Sequence, residues 1–234
     1  MEIEVLASGS TGNAYIISDG FTRILIECGL TYPELSRKSG FTITSIDACL
    51  CTHEHQDHSK CAKQLAHYGI DIYASAGTLK ACGLIGHRVH PIKAMQRFEI
   101  GAFSIMPFET EHDAAEPLGF LIGNSFLNET LLYFTDTFYL KYRFTGSITH
   151  IMGDAIYDRE ILEQNIKDNP EMAARQSRLL ESHMSIENFI NVLKATDLSR
   201  IKQIYLIHMS AANSNKADFK ERVQRLTGAE VYTT

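Results

Sequence analysis

The chain has 234 residues, of which 44% are apolar, so it is long enough and hydrophobic enough to bury a sizeable core. Its formal net charge of −6 is unusual for a protein that holds long duplex DNA through many phosphate contacts. The charge does not exclude an enzyme that acts on phosphates, because bound divalent cations would place positive charge where a phosphate binds.

Location and redox state are inferred from features that the sequence lacks. No apolar run approaches the roughly 18 residues that span a bilayer, and the start MEIEVLASGS has neither the basic nor the apolar region of a signal peptide. The five cysteines are an odd number and include no C-x-x-C pair, which favours reduced thiols over a disulfide framework. We therefore expect a cytoplasmic protein with no membrane association.

The first third of the chain alternates short apolar runs with turn residues and helical patterns. Apolar and period-two runs predict strands at 2–6, 14–18, 22–27, 48–51 and 71–74. Helical patterns predict helices at 32–39, 59–68 and 76–82. A loop rich in Gly, Ser and Asn at 8–13 separates the first two strands.

The rest of the chain predicts a second set of strands and helices. Residues 97–135 switch to period two and end in LLYFT, and further strands are predicted at 151–157 and 204–207. Helices are predicted at 159–181, 186–194 and 216–226.

These elements indicate one α/β (α+β) domain over residues 1–234, with two sheets packed together and helices outside. The sequence shows no Pro/Ser-rich linker, no repeat of fixed period and no low-complexity segment, so nothing marks a second domain. The charged segment 158–182 is the candidate for a helical insertion. A solvated surface helix is favoured there over a lid or a partner surface.

The stretch CLCTHEHQDHSKC at 49–61 concentrates His53, His55, Asp57 and His58 directly after a predicted strand. Buried groups of this kind are costly unless something pairs with them, and imidazoles with a carboxylate suit Zn, Mn or Fe. His53 and His55 point the same way if the chain is still extended, whereas Asp57 and His58 lie on the following turn. The spacing therefore suggests two adjacent metal ions.

Such a pair needs further ligands, and three later strand ends supply candidates. His112 follows the strand residues IMPF in ETEHD, Asp136 follows LLYFT, and His208 follows IYLI. Each is a single polar group at the end of an apolar run. Together with the cluster they complete a set of seven ligands.

HEHQDH and these three ordered residues resemble the H-x-H-x-D-H signature and later ligand motifs of the metallo-β-lactamase superfamily. The resemblance covers the whole chain and implies a four-layer αβ/βα sandwich. It also implies two divalent ions, Zn or Mn. One ion would be held by His53, His55 and His112, the other by Asp57, His58 and His208, with Asp136 bridging.

Within that superfamily, four stretches resemble the bacterial and phage YycJ/WalJ-type nucleic-acid processing enzymes, which are related to ribonuclease Z. They are VLASGSTGNAYIIS, EHDAAEPLGF, GDAIYD and HMSIENF. This resemblance implies that His183 assists the leaving group and that Asp154, where relatives often have Glu, is its acidic partner. Ser10 and Asn13 in the glycine loop are the candidates for substrate binding.

True β-lactamases usually carry a cysteine where Asp136 stands, so we do not expect antibiotic hydrolysis. The first hypothesis is a metal-dependent phosphodiesterase, either a DNA exonuclease-like or an RNA-processing nuclease, in which two metal ions activate a hydroxide. Asp57 would orient that hydroxide and accept its proton, and His183 would protonate the departing alkoxide.

Three alternatives remain open at this point. The acidic balance favours a small substrate, such as a cyclic nucleotide, and a thioester or lactone hydrolase similar to glyoxalase II has a comparable ligand set. The metals could instead only stabilise the fold of a binding protein. The sequence does not distinguish DNA from RNA, exo from endo action or Zn from Mn, and a homodimer is one oligomeric state that it allows.

Overall fold

A computed structural model of the protein describes residues 1–146, 148–169, 171, 179–180 and 182–234. Its strands form a six-stranded and a seven-stranded sheet, which confirms the predicted mixed α/β fold with two sheets. The chain divides into two compact units, Met1–Glu109 with Ala114–Glu129 and Thr110–Asp113 with Thr130–Thr234. Among the described residues, no helix has the length and apolar character required to cross a membrane.

The first unit contains the six-stranded sheet, whose spatial order follows the sequence. Its strands are β1 (Glu2–Ala7), β2 (Ala14–Ser18), β3 (Arg23–Ile26), β4 (Ala48–Leu50), β5 (Asp71–Ser75) and β6 (Val89–Ile92). The first two pairings are antiparallel, and the pairings from β3 to β6 are parallel. Because Ile26 pairs with Leu50, the residues that follow β3 and β4 meet at one edge of the sheet.

Four helices of the first unit follow these strands: α1 (Tyr32–Lys38), α2 (Gln56–Ser59), α3 (Ala62–His67) and α4 (Ala76–Ala81). The helix predicted at 59–68 is wrong in its start, because α2 ends at Ser59. The backbone N–H of Cys61 donates to the Cys28 carbonyl oxygen at 3.0 Å instead of continuing that helix. Antiparallel strands β7 (Phe98–Ile100), β8 (Phe103–Glu109) and β9 (Leu118–Asn124) complete this unit.

The second unit is built on parallel strands in the order β13-β12-β11-β10. They are β10 (Glu129–Phe134), β11 (His150–Asp154), β12 (Gln203–Ile207) and β13 (Glu230–Thr233). Every residue of β11 is buried, as expected for a parallel strand covered on both faces. The parallel arrangement again brings the carboxyl ends of β10, β11 and β12 to one edge.

Helices α5 (Arg159–Asp168), α6 (Ile186–Ala195) and α7 (Lys216–Thr227) belong to this unit. A polar residue precedes each helix, and its side chain accepts a hydrogen bond from a backbone N–H of the first turn. These residues are Asp158, Ser185 and Asn215 respectively. The first N–H groups of a helix have no acceptor within the helix, so these side chains satisfy them. The candidate insertion at 158–182 starts with α5, and residues 170, 172–178 and 181 lie outside the described part of the chain.

Backbone hydrogen bonds fix the HEHQDH segment against the loop after β3. The Cys28 N–H donates to the His58 carbonyl at 2.7 Å, the Asn13 N–H donates to the Asp57 carbonyl at 2.8 Å, and the Gly29 N–H donates to the Asn13 carbonyl at 2.9 Å. A Cβ atom added at Gly29 would lie 1.7 Å from the Asp57 carbonyl oxygen. Only glycine therefore allows this approach.

Replacing Gly29 with alanine should lower the free energy of unfolding by at least about 2 kcal/mol, because the motif backbone must move to admit a methyl group. Chemical denaturation measures this loss. Gly146→Ala is the matched control, since a Cβ there meets no atom within 4 Å. Equal stability of the two variants would contradict the packing described for this loop.

Candidate metal centre

The first unit brings the four residues of the HEHQDH motif together after the carboxyl end of β4. His53 Nε2 lies 3.1 Å from His55 Nδ1, and His58 Nε2 lies 3.4 Å from Asp57 Oδ2. The His53 and His58 rings are tilted against each other with centroids 4.2 Å apart. The motif thus presents two adjacent pairs of possible ligand groups.

Thr52 and Glu27 define the hydrogen-bonding state of His53. The Thr52 hydroxyl donates its single proton to Glu27 Oε1 at 2.6 Å. The hydroxyl oxygen of Thr52 lies 2.8 Å from His53 Nδ1. Because its own proton is already donated, it must accept the Nδ1 proton. His53 Nε2 is left with its lone pair, which is the arrangement of a metal-ligating histidine with an outer hydrogen-bond partner.

Glu27 is a residue beside the motif that the sequence prediction missed. Its side chain is fully buried, and Oε1 also lies 3.5 Å from His58 Nδ1, so it contacts groups that orient two motif histidines. Its φ of +63° ends β3 at Ile26, one residue before the predicted end at 27, because the left-handed conformation is incompatible with a strand. The sequence feature that could have indicated Glu27 is its position as a carboxylate directly after the apolar run RILI.

Asn13 and Ser10, the candidates for substrate binding, lie in different environments. Asn13 is 1% exposed. Its Nδ2 lies 3.3 Å from His58 Nε2 and donates to the Asp57 carbonyl at 3.3 Å, while its Oδ1 accepts from the Gly9 N–H at 2.9 Å. These contacts suit a residue that positions the motif. Ser10 is exposed in the preceding turn.

In the second unit, three histidines surround the carboxylate of Asp136. Asp136 Oδ1 lies 3.1 Å from His208 Nδ1 and 3.3 Å from His183 Nδ1, and Oδ2 lies 3.7 Å from His112 Nε2. Asp136 is 3% exposed and His208 is 7% exposed. One buried carboxylate that faces three imidazoles is a group of side chains that could hold a metal ion.

Asp154 has a contact that was not foreseen from the sequence. Its Oδ2 accepts a hydrogen bond from the backbone N–H of Asp136 at 3.0 Å, and the side chain is fully buried at the end of β11. Ligand atoms of Asp136, Asp154, His183 and His208 all lie within 4.8 Å of one another. Asp154 therefore restrains Asp136, and its pairing with His183 stays a prediction.

Two of these residues, Asp136 and His208, have a strained backbone conformation. Asp136 and His208 have φ values of +48° and +56°. Asp136 comes two residues after the end of β10, and His208 comes directly after the end of β12. Residues other than glycine rarely adopt this conformation, and each instance costs about 1–3 kcal/mol that surrounding contacts must offset. Such strain is typical of sites whose side-chain positions matter for function.

The donors in each unit fit divalent metal ions. In the second unit, two buried carboxylates and two histidines converge, and burying carboxylates is costly without a compensating charge. In the first unit, the lone pair of His53 Nε2 faces His55, with an outer partner already bound at Nδ1. Imidazole and carboxylate donors together suit Zn and Mn.

The cysteines lie outside these donor sets. All five are free thiols, and Cys28, Cys49 and Cys51 cluster in the buried core of the first unit. Hydrogen bonding to Cys49 and its neighbours, together with burial, raises the pKa of the Cys28 thiol well above its ordinary value. Cys28 is thus kept as a neutral core residue.

Comparison with known proteins agrees with this geometry. A family model described as the Beta-lactamase superfamily domain matches residues 22–209. Exodeoxyribonuclease YycJ of Bacillus anthracis is 29% identical over 231 residues, which cover 92% of this chain and 85% of that protein. Exodeoxyribonuclease WalJ of Streptococcus pneumoniae is 30% identical over 233 residues, which cover 91% of this chain and 82% of that protein.

Among solved structures, the metallo-β-lactamase fold protein YhfI from Bacillus subtilis aligns with a TM-score of 0.74. The alignment covers 99% of this chain and 95% of that one at 16% identity, which shows the shared fold. The fold, the family model and the two relatives agree. The chain belongs to the metallo-β-lactamase superfamily, in the group that contains the YycJ and WalJ exodeoxyribonucleases.

Proposed function

We propose that the protein is a metal-dependent nuclease that hydrolyses the phosphodiester bonds of nucleic acid. The observation that carries the proposal is the buried Asp136 carboxylate with three imidazoles around it. The two relatives named exodeoxyribonucleases support DNA as the substrate and exonucleolytic cleavage as the mode of action.

The proposed cofactors are two divalent ions, Zn or Mn. The family resemblance assigns one ion to His53, His55 and His112 and the other to Asp57, His58 and His208, with Asp136 bridging. When bound, such a pair would lower the pKa of a water nucleophile and stabilise the charge that builds up on the phosphoryl group.

Two side chains are proposed to handle protons. The Asp57 side chain is 26% exposed, so it can reach a water molecule, orient it and accept its proton. The His183 side chain is 17% exposed and directs Nδ1 at Asp136, which leaves Nε2 to protonate the departing alkoxide. We assign Asp154 and Asn13 to positioning, since Asp154 holds the Asp136 backbone and Asn13 holds the motif at His58.

The direct test is a hydrolysis panel. Metal-stripped protein resupplied with Zn or Mn is given double-stranded DNA, single-stranded RNA, cyclic nucleotides, bis-p-nitrophenyl phosphate and a thioester. We expect cleavage of polymer, and a loss of at least about 100-fold in Asp57→Ala, because general base catalysis contributes that much. Cleavage confined to cyclic nucleotides or thioesters would contradict a nuclease, and a variant that lost only stability would indicate a structural metal site.

His183→Ala should separate leaving-group protonation from other roles. A DNA alkoxide leaves poorly without a proton, so the rate on DNA should fall by about 10²–10⁴-fold. The rate on bis-p-nitrophenyl phosphate should fall by less than about tenfold, because p-nitrophenolate leaves without protonation. His67→Ala, at an exposed histidine of α3, is the matched control. Equal losses on both substrates would remove His183 from this role.

Thr52→Val should weaken metal binding by about 10–100-fold, because His53 loses the acceptor that fixes its Nδ1 proton. Competition with a chromophoric chelator measures the affinity without reference to turnover. Thr52→Ser keeps the hydroxyl and should bind metal as the wild type does. If valine and serine gave the same affinity, the hydrogen-bond chain from Glu27 would have no effect on the metal site.

A further inference from the structure

A second feature of the second unit is the sequence FYLKYRF at 138–144, here called the aromatic–basic strip. It begins two residues after Asp136. We propose that the strip, together with one face of α6, binds unpaired nucleotides of a single-stranded end of the substrate. This inference rests on the proposed nuclease function and specifies the form of nucleic acid that the site accepts.

The strip and α6 line an open cavity of about 330 Å³. Residues 139–143 form one wall, and Asn188, Asn191 and Val192 contribute from the helix. The lining combines an apolar side chain with two amides, which can donate to and accept from the edge of a base. A cavity of this size and composition suits a single planar group with a polar edge.

The aromatic rings are arranged for stacking. Tyr139 is 41% exposed, and its ring is backed by Phe138 at a centroid distance of 4.7 Å. The Tyr142 ring is supported in the same way by Phe144 at 6.5 Å. Tyr142 is partly buried. Accessible aromatic rings that neighbouring rings hold in place are platforms on which unpaired bases stack.

Positive charge lies between these rings. Lys141 Nζ lies 5.5 Å from the centre of the Tyr142 ring and 3.7 Å from Glu111 Oε1, while Arg143 is exposed. An ion pair at this exposure contributes little to stability, so a phosphate can replace Glu111 at low cost. In a chain whose net charge is −6, these two cations concentrate local positive charge where a strand would run.

Hydrogen bonds fix the strip next to Asp136. The Thr137 hydroxyl donates to the Tyr139 carbonyl at 2.8 Å and accepts from the Glu111 N–H at 3.1 Å. The Asn188 amide donates to the Phe138 carbonyl at 3.2 Å. The start of the strip is thus held in place two residues after the proposed metal ligand. Bases in a duplex are already stacked and paired, so the strip selects unpaired nucleotides.

Fluorescence anisotropy tests this with a ten-nucleotide phosphorothioate oligothymidylate, which resists cleavage, and a blunt phosphorothioate duplex of the same length. For Tyr139→Ala/Tyr142→Ala we expect the Kd for the single strand to rise by at least about tenfold, as expected for lost stacking, with a change of less than about twofold for the duplex. Tyr139→Phe/Tyr142→Phe keeps the rings and should retain wild-type affinity.

The basic residues are tested by the salt dependence of binding. Lys141→Ala/Arg143→Ala should reduce the slope of log affinity against log salt by about 1.4, because each phosphate contact with a single strand contributes about 0.7. Lys216→Ala/Lys220→Ala, at exposed lysines of α7, makes the same change in charge and should leave the slope unchanged.

Unchanged affinity of the strip variants for the single strand, equal losses on single strand and duplex, or no binding of single strand by the wild type would each overturn the inference. Failure of the proposed function would be seen in the hydrolysis panel instead, as absence of polymer cleavage by the wild-type protein. Cleavage by the wild type together with unaffected strip variants would contradict the inference alone.

Discussion

The carboxylate of Asp136 is the group on which the account of the second unit depends. It is buried, it faces three imidazoles, and its backbone N–H is held by Asp154. A buried carboxylate in this position is stable only with compensating positive charge. The left-handed backbone at Asp136 and His208 adds a cost that surrounding contacts must offset, and both residues follow parallel strands, β10 and β12. Burial of a carboxylate and strained backbone at the same sheet edge are both destabilising, and their occurrence together is typical of a functional site.

In the first unit, contacts with neighbouring residues hold the motif histidines in place. Parallel pairing of β3 and β4 brings Glu27 beside Thr52 and the motif, and the loop around Gly29 fixes the motif backbone from the other side. The result is a chain of contacts from Glu27 through Thr52 to His53, with a branch from Glu27 to His58. Histidine ligands need such outer partners to hold one tautomer, so these neighbours should influence metal affinity as well as stability.

Much of this arrangement was predictable because it is local. The strand 14–18 and most helices follow from periodicity, and the motif spacing indicates two donor pairs. Asp136 and His208 were predicted as polar residues at the ends of apolar runs. Two features depend on tertiary structure instead. The break between α2 and α3 arises from the contact of Cys61 with Cys28, and β6 and β13 are four-residue strands whose pairing is decided by neighbouring strands.

Some contacts of the site also depend on tertiary structure and could not be predicted from the sequence. Glu27 resembles any charged residue at the end of a strand until its burial and its contacts with Thr52 and His58 are known. Asn13 was predicted to bind substrate from its place in a glycine loop, yet its hydrogen bonds suit positioning of the motif. The contact of Asp154 with the Asp136 backbone requires two strands in register, which single-sequence patterns do not specify.

The central claim is that Asp136 bridges two divalent ions. Anomalous X-ray diffraction from crystals grown with Mn or Zn tests it most directly. We expect two anomalous peaks about 3.5–4 Å apart, with a carboxylate oxygen of Asp136 within ligand distance of both. A single peak, or a pair of peaks that Asp136 does not touch, would contradict it.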